Sequence, residues 1–141
     1  MHAPMIPTVC ACAKLRRSAR IVSSLYDQAL APSGLSVAQF SLLRMLQRVG
    51  PCSLTQFAEA TGHDRTTLNR TVKPLERDGF VRSEGGKDQR TRIVGVTDKA
   101  QALMREAQPH WEEAQKRIEE KLGPDHAALF AILDRIEELR A

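Results

Sequence analysis

The chain has 141 residues, of which 42% are hydrophobic and 27% charged, with a net charge of +4 and a pI near 9.3. That length and balance suit one soluble globular domain with its own core, needing neither disulfide staples nor a structural metal. No apolar run reaches the length of a membrane span, and three cysteines are too few, and too odd a number, for a secreted disulfide framework.

Met1 to Thr8 shows no basic patch followed by an apolar core, so no secretory leader is expected and the cytoplasm is the expected compartment. Charge is unevenly spread: residues 1–52 carry a net +5, residues 53–96 a net +2, and residues 97–141 a net −3. The pattern fits a basic reading part joined to a solvated or partner-facing part.

Residues 1–9, with Pro4 and Pro7, read as a loose arm. From about Cys10 to Ala31, Leu15, Ala19, Val22, Tyr26 and Ala29 recur at spacings of four and three, which makes one apolar stripe on a helix. Pro32 and Gly34 end it. Ser36 caps a second helix running to about Val49, with Phe40, Leu43 and Leu46 as its buried stripe. Ser53 caps a short third helix through Thr61, with Leu54, Phe57 and Ala58 inward. Gly62 supplies a turn. Asp64 caps a fourth helix, Arg65 to Asp78, and Gly79 sits where a left-handed C-terminal cap belongs.

Phe80 to Glu84 and Arg92 to Val96 are strand candidates around a polar, Gly-rich tip, which predicts a hairpin. Thr97 then caps a long helix reaching about Leu122, where Pro109 is expected to produce a kink. After Gly123-Pro124, a last helix spans Asp125 to Arg140, with Leu129, Ile132, Leu133 and Ile136 on its apolar side. The predicted fold is mainly α with a small β-hairpin wing: a winged helix-turn-helix lobe over residues 36–96. A helix over 10–35 and helices over 97–141 flank it.

The fourth helix carries the chemistry. At 100° per residue, Leu68, Val72 and Leu75 fall within roughly 60° of one another and form its core side. Thr66, Arg70, Lys73 and Arg77 lie opposite, with Asn69 at the edge. Arg pairs with guanine, Asn with adenine, and a Thr methyl meets a thymine methyl. A reading helix contacts base edges through its N-terminal residues, so Arg65, Thr66, Thr67, Asn69 and Arg70 are base-contact candidates and Lys73 a phosphate candidate. An isolated helix of this kind is as readily a solvated basic surface; the short helix before it and the hairpin after it favour double-stranded DNA as partner.

Lys87, Arg90 and Arg92 occupy the wing region with Asp88 among them. An Arg on such a loop suits a narrow, electronegative minor groove, and Asp88 would orient it. Pro74 removes one backbone donor within the fourth helix and leaves its tilt open. No phosphate-cradling Gly loop, His-Glu-x-x-His or nucleophile elbow is present, so no enzyme activity and no cofactor are expected. The alternative is a winged-helix protein-interaction module without operator binding, which a flat salt dependence would reveal.

Asp64-Arg-Thr-Thr-Leu-Asn-Arg-Thr-Val-Lys-Pro-Leu-Glu-Arg-Asp-Gly-Phe-Val81, followed by Asp88-x-Arg90 and Val96-Thr97, resembles the MarR family of winged helix-turn-helix regulators. Leu15-Arg-Arg, Leu25-Tyr-Asp and Gly34-Leu-Ser with Gln39-Phe extend the resemblance over most of the chain. It implies a homodimer interlocked through the first and last two helices, bound to a pseudo-palindromic operator, usually as a repressor. It carries DNA contact to the Thr66–Lys73 face and to Arg90, with Asp88 positioning Arg90. Pro74 departs from the commonest pattern.

Such regulators respond to a small aromatic ligand or to an oxidant. Cys10 and Cys12 lie at the start of the first helix beside Lys14 and Arg16, a setting that favours a thiolate. The competing assignment makes them small apolar residues at a dimer interface. A disulfide within the pair would be strained, which favours a bridge between subunits. Two thiolates with a His would make a soft-metal site, but no His stands at ligand spacing, so no metal is expected. Cys52 reads as structural. His110 and Trp111, beside the expected kink, are candidates either for a ligand pocket or for core.

Overall fold

A computed structural model describes residues 2–85 and 91–140. Helix α1 spans Ala11–Leu30 and a short 3-10 turn follows at Ala31–Ser33. Then come α2 (Val37–Val49), strand β1 (Cys52–Ser53), α3 (Leu54–Thr61), α4 (Arg65–Arg77), β2 (Val81–Glu84), β3 (Ile93–Val96), α5 (Asp98–Leu122) and α6 (Asp125–Glu137).

Local chemistry sets these boundaries. Ser36 and Gln39 form a reciprocal capping box at the start of α2, and Ser53 and Gln56 form another at α3, so each helix has two otherwise orphaned amides satisfied. Thr97 caps α5 by accepting from the Ala100 amide (3.2 Å), and its hydroxyl donates to the Gly79 carbonyl (2.7 Å), which pins the start of α5 to the end of α4. Gly79 adopts φ +82°, and the Phe80 amide reaches back to the Leu75 carbonyl at 2.8 Å. This is the left-handed cap expected there, and it turns the chain into the wing.

The hairpin strands β2 and β3 pair antiparallel, with Val81 opposite Val96 and Glu84 opposite Ile93. A third strand joins them: β1 lies on the other edge of β3, with Cys52 opposite Val94. The sequence showed no sign of it, because two residues cannot display alternation and Ser53 already served as a helix cap.

One core unites the lobe. Phe40, Leu43 and Leu46 of α2, Phe57 of α3, Leu68, Val72 and Leu75 of α4, and Val81 and Val94 of the sheet are all buried, as are Ala100, Met104 and Ala107 of α5. Helix α5 runs from Asp98 to Leu122 without interruption at Pro109. The terminal helices differ. The α1 stripe residues Leu15 and Val22 are exposed, and so are Leu129, Phe130, Ile132 and Ile136 of α6. Leu15, Val22, Leu129 and Phe130, with Tyr26, Ile118 and Leu133, line an almost wholly apolar groove of about 290 Å³ between α1, α5 and α6.

Candidate nucleic-acid interface

The α3–turn–α4 unit is held by its turn and its cap. Gly62 takes φ +73°, and the Asp64 carboxylate accepts from the Thr66 and Thr67 amides and from the Thr67 hydroxyl (3.0 Å). The Thr67 hydroxyl, then the Thr67 and Thr66 amides, hold the Asp64 carboxyl below the usual carboxylate range, and Arg70 adds a smaller attraction. The charged form is therefore the one that fixes the first turn of α4.

Burial divides α4 as the wheel predicts. Leu68, Val72 and Leu75 are at most 1% exposed. Arg65, Thr66, Thr67, Arg70, Lys73 and Arg77 are exposed, and Asn69 is half-buried at the edge. The helix continues through Pro74 to Arg77, where Arg77 meets Asp78 at 3.4 Å in an exposed pair.

Arg92, a candidate for DNA contact, is bonded within the chain. Its guanidinium donates to Glu76 Oε1 at 2.6 Å and to Ser83 Oγ at 2.7 Å. It thus ties the wing to the last turn of the reading helix. Glu76, which the sequence did not single out, is its partner; nothing local links residues 16 positions apart. The wing positions Asp88 and Arg90, with Lys87, fall outside the described residues.

Cys10 and Cys12 are both exposed on the single chain. Cys10 is the N-cap of α1: its sulfur accepts from the Ala13 amide at 3.5 Å. Cys52 is buried, as expected of a structural residue, and burial pushes its thiol up. Among the described residues no group of three or more His, Cys, Asp or Glu is arranged to hold a metal.

Trp111 is partly buried and packs against the core. It lies against Tyr26 (6.1 Å between ring centroids) and Phe40 (6.3 Å), with the Arg44 guanidinium 4.7 Å from its ring centre. The Tyr26 hydroxyl donates to Gln115 Oε1, and burial, then Glu119, raises the Tyr26 phenol above its ordinary value. His110 is half-buried.

A family model described as MarR family matches residues 33–91, which include α2, α3, α4 and β2. The DNA complex of the M. tuberculosis transcriptional regulator MosR superposes with a TM-score of 0.78 at 35% identity, covering 94% of this chain and 99% of that one. The chain belongs to the MarR family.

Members of the MarR family with this winged helix-turn-helix fold are DNA-binding transcriptional regulators. A second structure, the transcriptional repressor CouR bound to a 23-mer DNA duplex, has a TM-score of 0.78 at 27% identity and covers 91% of this chain and 92% of its own. The HTH-type transcriptional regulator YwoH of Bacillus subtilis is 31% identical over 88 residues, a match that covers 62% of this chain and 64% of that relative. Among the described residues, no helix is long and apolar enough to cross a membrane.

Proposed function

We propose that this MarR-family chain is a homodimeric repressor, acting in the cytoplasm at the nucleoid, that binds a pseudo-palindromic operator and releases it on a chemical signal. The observation that carries the reading is the division of α4: a fully buried Leu68–Val72–Leu75 side backed by an exposed face bearing Arg70 and Lys73. Thr66, Asn69 and Arg70 meet base edges, Lys73 meets phosphate, and Arg65 and Thr67 flank the N-terminal turn. Arg90, oriented by Asp88, enters the flanking minor groove, while Arg92 holds the wing against α4 through Glu76.

Dimerisation is supported by the apolar stripes of α1 and α6, which lie open on the single chain. A soluble protein rarely leaves so much contiguous apolar surface uncovered. A two-fold pairing of these helices covers it and sets two α4 helices about one DNA turn apart.

The signal is an oxidant or a small aromatic ligand. The exposed Cys10 and Cys12 support the first: peroxide takes two electrons from two thiols on different subunits, forming one disulfide and two waters. DNA affinity measured with and without peroxide, in the wild type and in Cys10→Ser and Cys12→Ser, tests it. An unresponsive wild type removes the redox signal. For the interface, gel shifts of Arg70→Ala and Arg90→Ala are expected to weaken, with selectivity lost mainly in Arg70→Ala. Unchanged affinity in both would contradict the assigned face.

A further inference from the structure

The residue after the last turns of α6 touches the reading head. Gly62, at the turn between α3 and α4, has no side chain, and the Arg140 guanidinium fills that space: a Cβ built on Gly62 would stand 2.9 Å from Arg140 Nη1. Arg140, His63, Arg65 and Glu59 line the same open cleft of about 440 Å³. Helix α6 has no buried residue of its own. It belongs to the exposed apolar surface assigned above to the dimer, yet Arg140, just beyond it, reaches the helix-turn-helix turn.

The lobe is joined to the flanking helices at its back, by the packed core shared by α2, α4 and α5 with Leu30 of α1 and by the Val37 amide donating to Asp27 Oδ1 at 2.7 Å. The seat of Arg140 on Gly62 lies elsewhere: it bears on the N-terminal end of α4, the end assigned above to base contact.

We propose that Arg140 is a positioning residue for DNA binding: seated on Gly62, it fixes the angle of α4 to the dimerisation helices and so sets the half-site spacing that the dimer accepts. The proposal rests on the DNA-binding reading above. Rigid bodies held at one separation tolerate a changed spacing poorly. One inserted base pair moves a half-site by about 3.4 Å along the axis and rotates it by roughly 35°. Removing the Arg140 contact loosens the head, so the mismatch is absorbed by motion of the lobe instead of by lost contacts.

The test uses the duplex recovered by selection from random DNA and the same duplex with one base pair inserted at its centre. Wild-type protein is expected to prefer the selected duplex by about tenfold or more, and Arg140→Ala to show a third or less of that preference. Arg70→Ala is the control: loss of binding there with an unchanged spacing preference in Arg140→Ala overturns this proposal alone. No loss in Arg70→Ala overturns the DNA-reading assignment beneath it. Salt dependence separates the remaining alternative. If Arg140→Ala keeps the wild-type spacing preference but lowers the log–log salt slope by about one, Arg140 is a phosphate contact and the positioning role is wrong.

Discussion

Arg70 and Lys73 sit three residues apart on one exposed face, yet their expected losses differ in kind. Arg70→Ala should cost about 1–3 kcal/mol on the preferred duplex and little on a scrambled one, because a bidentate base contact carries sequence information. Lys73→Ala should weaken both duplexes alike and lower the log–log salt slope by about one, which binding isotherms at several salt concentrations will show. Asp64 acts beside them. Its folded carboxyl titrates below its ordinary value of 3.8, so its contribution is present above that value and is lost as pH falls through the depressed one. Asp64→Ala should therefore melt lower than wild type at neutral pH, with the gap closing in acid. Asp64→Asn, which keeps an oxygen acceptor, should recover much of the loss without that pH dependence. Equal melting of Asp64→Ala and wild type at pH 7 would contradict the capping role.

Among the elements, the junction of wing and reading helix turns on Arg92 and Glu76. The pair is partly exposed, so its coupling in a double-mutant stability cycle should be only about 0.2–1 kcal/mol. Its effect on binding should have an unexpected sign. Removing a carboxylate near DNA ordinarily tightens binding, but Glu76→Ala frees the wing and should weaken it several-fold; tighter binding would show that Arg92 is not a tie. The element order was legible because Ser36, Ser53, Asp64 and Thr97 each combine a capping side chain with the start of an apolar period. Strand β1 was not, since its pairing with β3 depends on where residues 40 positions later fold. The Arg92–Glu76 bond was illegible for the same reason: composition displays a cation near the wing, but not the carboxylate that binds it.

At the scale of the whole molecule, the apolar stripes of α1 and α6 could be read from periodicity, but periodicity does not distinguish burial within a chain from burial between chains. On the single chain these stripes lie open beside the groove between α1, α5 and α6. Phe130, 51% exposed on α6, is a direct probe. Phe130→Glu should shift the sedimenting species from dimer to monomer, and operator affinity should fall by roughly tenfold or more as the two half-sites cease to be bound together. A Phe130→Glu protein that remains dimeric would place the interface elsewhere.

The central claim is that α4 and the wing read double-stranded DNA as a polyanion with a sequence. Its most direct test is the dissociation constant of the wild-type protein on the selected duplex and on a scrambled duplex, each measured across a salt series. The account predicts a steep linear fall of log affinity with log salt on both, and a preference for the selected duplex at every concentration. A flat salt dependence, or equal affinity for the two duplexes, would contradict it.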